Sequence, residues 1–374
     1  MESVKQTIKR VTGKALVQTG IWEGSLRRWA RRGEAIILTY HRVIEKWDRA
    51  LDYSQPGMVV TSDTFERQLH FLKQNFDIVP LSSLVNSLST LNSQLSNLNR
   101  PLCVITFDDG WRDNYEIAFP ILRQHGLPAT IFLTTDFIGA NRAFWHTELL
   151  YLVMHGDLSR FRLLEYVLQA YPSPVRHRWR QVRGSAQTPS AHELDPLVEA
   201  VKATCGEDEI HNLIRDVRYA LAASGPLLSQ DRFFLDWDQV REMASARIEF
   251  GSHGCSHRIL TRLRAEEAQG ELVRSKAEIE GRIGQEVRDF AFPEESANRE
   301  LINLADKAGY RVVCVKGLTY GDERSGTLLV QRIGMHEGIS RGRDGSFSEP
   351  ALLLWLFRGP KRGPRQSPVD VDER

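Results

Sequence analysis

Short apolar runs rich in β-branched residues recur along the chain and alternate with amphipathic stretches. Each run is long enough for a buried strand, and the stretches between them repeat apolar residues at helical spacing. This alternation is typical of a parallel α/β sheet or barrel. The pattern predicts strands at 35–40, 102–107, 129–134, 248–251, 288–292, 311–315 and 328–333. It predicts helices at 62–74, 113–124, 263–282 and 299–308, the last one leading into Gly309 as a C-cap.

The alternation stops between residues 143 and 235, where the pattern is mainly helical, rich in arginine and interrupted by prolines. We interpret 143–235 as a helical insertion between two strands of a barrel that occupies 34–345. In this prediction residues 1–33 form a basic N-terminal helix or extension. Residues 346–374 combine prolines with many charges and are predicted to be a basic, disordered tail.

Length and charge narrow the classes of protein that fit this pattern. The chain has 374 residues, enough for one large α/β domain with an insertion or for two domains. Its 49 Lys+Arg and 48 Asp+Glu give a formal net charge of +1, whereas a nucleic-acid partner would favour a strongly basic domain. No apolar run approaches the roughly 20 residues that span a bilayer, and the N-terminus lacks the apolar core of a secretory signal. We therefore expect a cytoplasmic protein without a nucleic-acid partner.

Basic residues crowd the first 32 positions, with apolar residues between them. A helix lying on a membrane surface is one interpretation, which would make the protein peripheral to the inner face of the membrane. A solvated helix docked on the barrel is the other, and we favour it because basic runs are more often simply solvated. The sequence does not predict the oligomeric state.

Two carboxylates and two histidines each follow a predicted strand. Asp108 and Asp109 come after the strand at 102–107, and His253 and His257 follow the strand at 248–251. A catalytic zinc-type site needs about three protein ligands and an open position for water. One carboxylate and the two imidazoles supply three ligands, and the second carboxylate remains as a base. The pattern indicates a metal-assisted hydrolase.

The motifs that contain these residues resemble those of the polysaccharide deacetylases, which are carbohydrate esterase family four with its NodB-homology domain. The resemblance covers about 34–142 and 236–337, and a Tyr-His-Arg segment at 40–42 is similar to one subfamily. It rests on Thr106-Phe-Asp-Asp-Gly-Trp-Arg-Asp-Asn-Tyr115, Pro128-Ala-Thr-Ile-Phe132, Ser252-His-Gly-Cys-Ser-His257, Arg288-Asp-Phe-Ala-Phe-Pro293 and Gln331-Arg-Ile-Gly-Met-His336. The resemblance implies an α/β fold, a deformed (β/α) barrel of about seven units with its site at the C-terminal ends of the strands. It also implies removal of N-acetyl or O-acetyl groups from sugars with a divalent metal.

The resemblance assigns a role to each matching residue. Asp109, His253 and His257 correspond to the metal ligands, a set that suits zinc, with cobalt or nickel as alternatives. Asp108 corresponds to the base that takes a proton from the attacking water, and Arg288 to the arginine that holds this base. Without metal, we expect one of the two neighbouring carboxylates to have a raised pKa.

The remaining roles concern the oxyanion, the acid and the substrate. Phe292 stands where the family has tyrosine, and its backbone N–H is expected to donate to the oxyanion. His41 and His336 are the two candidates for the acid that protonates the leaving amine, and we favour His41. Trp111, Trp145 and His336 are candidate substrate contacts, although buried packing is an equal alternative for the tryptophans. Asp113 and Asn114 are expected to cap the following helix.

The leading hypothesis is a metal-dependent deacetylase of an N-acetylated amino sugar in a polysaccharide, oligosaccharide or lipid-linked precursor. A catalytically inactive sugar-binding module is an alternative that loss of a ligand or base would favour. A non-haem iron oxygenase would leave the second aspartate without a task. An amidase or esterase of a non-sugar substrate on the same barrel stays open, because a fold alone does not determine the substrate.

Overall fold

The computed structural model describes residues 11–32, 34–47, 54–84, 99–182, 189–221, 232–316, 327–342 and 344–360. The chain divides into two compact units. The first unit contains residues 1–45, 60–140 and 234–374, and the second contains 46–59 and 141–233.

The strands lie close to the positions that the apolar runs predict. They are β1 (Ala35–Tyr40), β2 (Arg42–Ile44), β3 (Val59–Thr61), β4 (Asp77–Ile78), β5 (Leu102–Phe107), β6 (Ala129–Leu133), β7 (Ile248–Ser252), β8 (Asp289–Ala291), β9 (Val312–Cys314), β10 (Leu328–Val330) and β11 (Ile333–Gly334). Eight of them form one continuous parallel path in the order β10-β9-β8-β7-β6-β5-β1-β11, and β4 also pairs with β5. The sheet is a half-barrel with helices, which confirms the predicted (β/α) fold class.

The predicted strand at 328–333 is in fact two strands at opposite edges of the sheet. β10 pairs with β9, whereas β11 pairs with β1. The two-residue link Gln331-Arg332 therefore carries the chain from one edge to the other. The apolar pattern runs through both strands, so it could not show that the sheet partner changes between them.

The register between β1 and β5 places the residues that follow them side by side. Both strands are buried along their whole length, as expected for a parallel strand covered on both faces. Tyr40, the last residue of β1, lies opposite Phe107, the last residue of β5. His41 and Asp108, the next residues along the chain, therefore lie side by side just beyond the carboxyl ends of these two strands.

The helices also follow the sequence pattern in most places. They are α1 (Ile21–Arg31), α2 (Ser62–Asn75), α3 (Phe119–His125), α4 (Trp145–His155), α5 (Phe161–Val167), α6 (Ser173–Val182), α7 (Ala191–Thr204), α8 (Glu207–Leu221), α9 (Trp237–Ala244), α10 (Ala265–Ile283), α11 (Arg299–Lys307) and α12 (Glu349–Arg358). The predicted helix at 113–124 begins as a π-helical segment, Asn114–Ala118, before α3. Gly309 follows α11 with φ +88°, the left-handed conformation that a terminating glycine adopts readily. No helix in the described part of the chain is both long and apolar enough to cross a membrane.

The second unit is helical and has its own apolar core. Helices α4 to α8 enclose a cluster that includes Leu150, Leu164, Trp179, Val198 and Val217. Most of this unit coincides with the insertion predicted at 143–235. Residues 46–59 also belong to it, and Gln55 Nε2 lies 2.6 Å from Asp195 Oδ1. The sequence pattern had assigned 46–59 to the barrel, because nothing local indicates a contact so distant in sequence.

Both ends of the chain bury more apolar side chains than the predicted tails would. Helix α1 buries Trp22 and Trp29, and the Trp22 indole N–H donates to Asn75 Oδ1 at 2.9 Å. The prediction of disorder from residue 346 is wrong for α12, because its leucines at 352, 353, 354 and 356 are buried. Residues 1–10 and 361–374, which the tail predictions also include, lie outside the described residues.

Candidate active site

Four strand ends of the half-barrel bring titratable side chains to one edge of the sheet. Asp108 and Asp109 follow β5, His253 follows β7, and His41 follows β1. The link between β10 and β11 adds Arg332. Because all these strands are parallel, their carboxyl ends open on the same side.

Asp109, His253 and His257 form a cluster of potential metal ligands. Asp109 Oδ1 lies 3.5 Å from His253 Nε2 and 3.2 Å from His257 Nε2, and the ligand atoms of the three residues lie within 4.8 Å of one another. Asp109 Oδ1 is completely buried and has no hydrogen-bond partner among the residues that the structure describes. A buried carboxylate oxygen without a donor is costly, and a cation between it and the imidazoles would satisfy it. The residues therefore fit a divalent metal.

Neighbouring groups orient two of these ligands. His253 Nδ1 lies 2.7 Å from the Ala291 carbonyl oxygen. Since a carbonyl can only accept, Nδ1 carries the proton, and the lone pair of Nε2 faces Asp109. The Trp111 indole N–H donates to Asp109 Oδ2 at 2.7 Å, which leaves Oδ1 directed at the imidazoles.

The backbone and the pKa values at this cluster also suit metal binding. Asp109 and His257 have φ values of +76° and +60°, a conformation that is uncommon for residues other than glycine and often marks functional sites. Burial lowers the pKa of His253, although Asp108 and Asp109 oppose the shift. Burial would raise the pKa of Asp109, but the imidazoles, His257 above all, hold it well below its usual range. A neutral imidazole and an ionised carboxylate are the forms that bind a metal.

Asp108 is held by Arg332 in a buried two-point ion pair. Arg332 Nη1 and Nη2 donate to Asp108 Oδ1 and Oδ2 at 2.6 and 2.7 Å, and Arg332 Nε donates to Glu295 at 2.9 Å. Burial would raise the pKa of Asp108, but the charge of Arg332 more than offsets it and lowers the pKa below its ordinary value. The expectation that one of the two neighbouring carboxylates has a raised pKa without metal is therefore wrong.

Arg288, the residue expected to hold the base, does not contact Asp108. Its side chain is 57% exposed and donates to Glu286 at 2.7 and 2.9 Å. Arg332 takes the place that the sequence analysis gave to Arg288. An arginine within an apolar strand-like run is a signal that could have identified it, because arginine is rarely buried without a partner. Glu295 is the second carboxylate that orients Arg332.

His41 is the histidine that the structure brings to Asp108. Its Nε2 lies 3.9 Å from Asp108 Oδ2, and its side chain is 26% exposed. His336 instead accepts from the Gly338 N–H through Nδ1, and its ring contacts Trp355 edge-on. The geometry favours His41 as the acid candidate.

Asp113 and Asn114 hold the segment that carries His41, rather than capping a helix through their side chains. Asn114 Nδ2 donates to the His41 carbonyl at 2.8 Å. Asp113 accepts from Arg42 Nε at 2.8 Å and from the Val43 N–H at 3.0 Å. The sequence suggested caps because Asp and Asn are common there, but the neighbouring β1–β2 connection provides stronger partners.

Two further expectations need correction, and the substrate contact of Trp145 stays a prediction. The Phe292 N–H donates to the Cys314 carbonyl at 3.3 Å, so pairing with β9 occupies the amide expected at the oxyanion. Trp111 is fully buried and stacks on Phe234, so it supports Asp109 instead of contacting a sugar. Trp145 belongs to the second unit, where it packs partly buried against the helical core.

Comparisons with known proteins agree with the geometry. Residues 96–189 and 197–313, more than half of the chain, match the family model described as polysaccharide deacetylase. The Bacillus subtilis (strain 168) protein named "Putative polysaccharide deacetylase YxkH" is 42% identical over 55 residues. That alignment covers 14% of this chain and 20% of the relative, so it spans about a fifth of the relative's length.

Two solved structures match this chain over most of its length. The Streptococcus pyogenes deacetylase PplD in complex with acetate matches with a TM-score of 0.50 and 15% identity, over 83% of this chain and 96% of that one. IcaB from Ammonifex degensii matches with a TM-score of 0.49 and 16% identity, over 86% of this chain and 96% of that one. The similarity to PplD shows a shared fold.

Proposed function

Because the chain belongs to the polysaccharide deacetylase family, we propose that it hydrolyses the N-acetyl group of an amino sugar in a polysaccharide, oligosaccharide or lipid-linked glycan precursor. The family is one of hydrolases that act on carbon–nitrogen bonds other than peptide bonds. The proposal rests on one observation. Asp109, His253 and His257 lie close to Asp108 and His41 at one edge of the sheet.

Asp109, His253 and His257 would hold the metal, and zinc suits this set of two imidazoles and one carboxylate. A metal bound there polarises the acetyl carbonyl and lowers the pKa of water. Cobalt and nickel fit the same donor set.

The residues around the ligands supply the proton transfers. Asp108 accepts a proton from the attacking water, and Arg332 keeps it ionised and fixed in orientation. His41 donates a proton to the nitrogen as the carbon–nitrogen bond breaks, which releases acetate and the free amine. Asp108 is buried whereas His41 is partly exposed, an arrangement that suits a base beneath the substrate and an acid beside it.

Acetate release from oligomers of N-acetylglucosamine tests this function. We expect release by the wild type to require metal, with loss after chelation and recovery with zinc or cobalt. Asp108→Asn should lower kcat by about a hundredfold or more, because it removes the base. Asp63→Asn, an exposed carboxylate on α2, is the matched control and should behave as the wild type.

Three results would each contradict part of the proposal. Metal-dependent release that Asp108→Asn leaves intact would remove Asp108 from its role. Release from simple acetylated amides or esters, with none from any sugar, would indicate the alternative amidase or esterase. Stoichiometric metal binding without any release would indicate a sugar-binding module.

We also propose that the N-terminal segment contacts an anionic membrane surface. Val11, Val17 and Ile21 are among the most exposed large apolar side chains of the described residues. Five exposed basic side chains lie in the same segment, Lys14, Arg27, Arg28, Arg31 and Arg32. Exposed apolar residues with basic neighbours are typical of interfacial helices. With the cytoplasmic location expected from the sequence, this surface would be the inner face of the membrane.

Sedimentation with lipid vesicles tests the membrane proposal. Vesicles containing phosphatidylglycerol should pellet the protein, and vesicles of phosphatidylcholine alone should pellet much less. Val17→Glu combined with Ile21→Glu should release the protein, since it reverses both the apolar and the charge contributions. Equal pelleting of this variant and the wild type would show that the segment is simply solvated.

A further inference from the structure

The helical second unit contains an open cavity of about 700 Å³. Residues of α5, of α8 and of the turn after α5 line it. Those that carry chemistry are Tyr166, Gln169, Arg215, Asp216 and Tyr219. The volume falls within the range of about 300–1,000 Å³ that is usual for pockets that bind small ligands.

Two tyrosines on the cavity wall are unusually exposed. Tyr166 is 77% exposed and Tyr219 is 72% exposed, the highest values among the exposed large apolar side chains of the described residues. Tyrosine has a large apolar ring, and rings grouped in a concave surface are common where ligands bind. A pair of exposed rings on two packed helices therefore indicates a ligand with flat apolar faces.

Arg215 and Asp216 form an ion pair in the cavity. The pair fixes both side chains, and its two charges cancel. Arg215 Nε and Nη2 donate to Asp216 Oδ1 at 3.0 and 2.9 Å. The Tyr171 hydroxyl donates to Asp216 Oδ2 at 2.6 Å, which fixes the carboxylate from its other side. Gln169 adds an exposed amide that can both donate and accept. Because the two charges cancel within the pair, such a set favours a neutral ligand with many hydroxyl groups over a charged one.

We propose that this cavity binds a neutral oligosaccharide, with sugar rings stacked on Tyr166 and Tyr219. Pyranose rings have apolar C–H faces and a polar rim, which match aromatic walls bordered by Gln169, Arg215 and Asp216. The second unit is then a glycan-binding module attached to the barrel. That the glycan consists of N-acetylated amino sugars rests on the proposed function.

Titration calorimetry with a pentamer of N-acetylglucosamine tests the inference. The full-length protein is kept metal-free by chelation during the titration, so that the probe is not hydrolysed. The double variant Tyr166→Ala/Tyr219→Ala should bind the pentamer at least about tenfold more weakly than the wild type, because both stacking surfaces are lost. Tyr166→Phe/Tyr219→Phe keeps the rings and should retain most of the affinity. Thermal unfolding of both variants checks that the helical unit is intact.

The outcomes separate this inference from the proposed function. Equal affinity of the alanine and phenylalanine variants, or no binding of the pentamer to the wild type, would overturn the glycan site. Acetate release, measured in parallel on metal-loaded wild type, reports on the deacetylase alone. Ring-dependent binding without any acetate release would leave the glycan site in place and remove the proposed function.

Discussion

The charged groups that surround Asp108 come from residues far from it in the sequence. Arg332 lies 224 positions after Asp108, yet both of its terminal nitrogens donate to the carboxylate. Glu295 binds the remaining nitrogen of the same guanidinium, so Arg332 is fixed between two acids. A buried arginine with this geometry is not replaceable by lysine, which has a single charged nitrogen and cannot form the two-point pair.

Arg332→Lys should therefore impair the base without removing the positive charge. We expect acetate release to fall about tenfold to a hundredfold. Arg332 lowers the pKa of Asp108, so weakening the pair should raise that pKa and move the acidic limb of the pH–rate profile to higher pH. The profile of kcat against pH measures this shift. Arg288→Lys is the matched control, and an equal loss in that variant would mean that Arg288 is the functional arginine after all.

Asp113 acts on His41 through the backbone rather than by contact with a substrate. Asp113→Asn weakens the pairing with Arg42 while keeping the side-chain size. We expect kcat to fall about tenfold with little change in KM, because the acid is displaced but the binding surface is retained. A rise in KM alone, or an unchanged kcat, would contradict a positioning role for Asp113.

At the level of elements, the N-terminal helix α1 packs against the barrel through its two tryptophans. Trp22 contacts the rings of Phe71 and Phe76, and Trp29 contacts Phe357 on α12. These contacts show why a stretch with so many basic residues still forms a docked helix: its polar face is exposed while two large rings are buried. The membrane proposal concerns the opposite, exposed face.

Trp22→Ala should destabilise the fold by about 3–5 kcal/mol, the usual cost of removing a buried tryptophan. Ile21→Ala changes the adjacent, half-exposed residue of the same helix and should cost about 0.5 kcal/mol or less. Urea unfolding of both variants measures the difference. Similar free energies of unfolding for the two would show that α1 contributes little to the stability of the barrel.

At the scale of the whole molecule, one buried acid should make stability depend on pH. Burial raises the pKa of Asp289 to about 7, and the charge of Glu249 on the neighbouring strand β7 adds to the shift, with Arg288 and Lys276 opposing it. Within the described part of the chain, Asp289 Oδ1 has no hydrogen-bond partner. Since the folded pKa exceeds the unfolded value of about 3.9, the folded state binds more protons between these values. Stability from this group is therefore highest below pH 4 and falls as the pH rises to about 7.

Asp289→Asn should remove that contribution, because asparagine resembles the protonated acid in shape and charge. Relative to the wild type, the variant should gain stability as the pH rises from 4 to 8, by up to about 4 kcal/mol for a shift of three pKa units. Denaturant unfolding at several pH values gives the difference directly. A difference between variant and wild type that does not change with pH would show that Asp289 is ionised in the folded protein.

Features that depend on neighbouring residues could be predicted from the sequence alone. Apolar runs located the strands β1, β5, β6 and β7, since a buried parallel strand needs little more than continuous apolar residues. The potential metal ligands Asp109, His253 and His257 could be predicted because each lies just beyond such a run, and parallel strands open their carboxyl ends on one side. His41 is favoured because it follows β1 within a Tyr-His-Arg segment that resembles one subfamily, and the register of β1 with β5 places it beside Asp108.

The groups that meet across the barrel could be identified only from the folded structure. In the folded protein, Arg332 rather than Arg288 contacts Asp108. The Phe292 amide donates to β9, and the buried Trp111 indole donates to Asp109. Folding also divides 328–333 between two sheet edges and gathers residues 46–59 into the helical unit. Local patterns record whether a residue is apolar or polar. Ion pairs and hydrogen bonds depend on distances of a few ångströms between segments that the chain brings together only on folding.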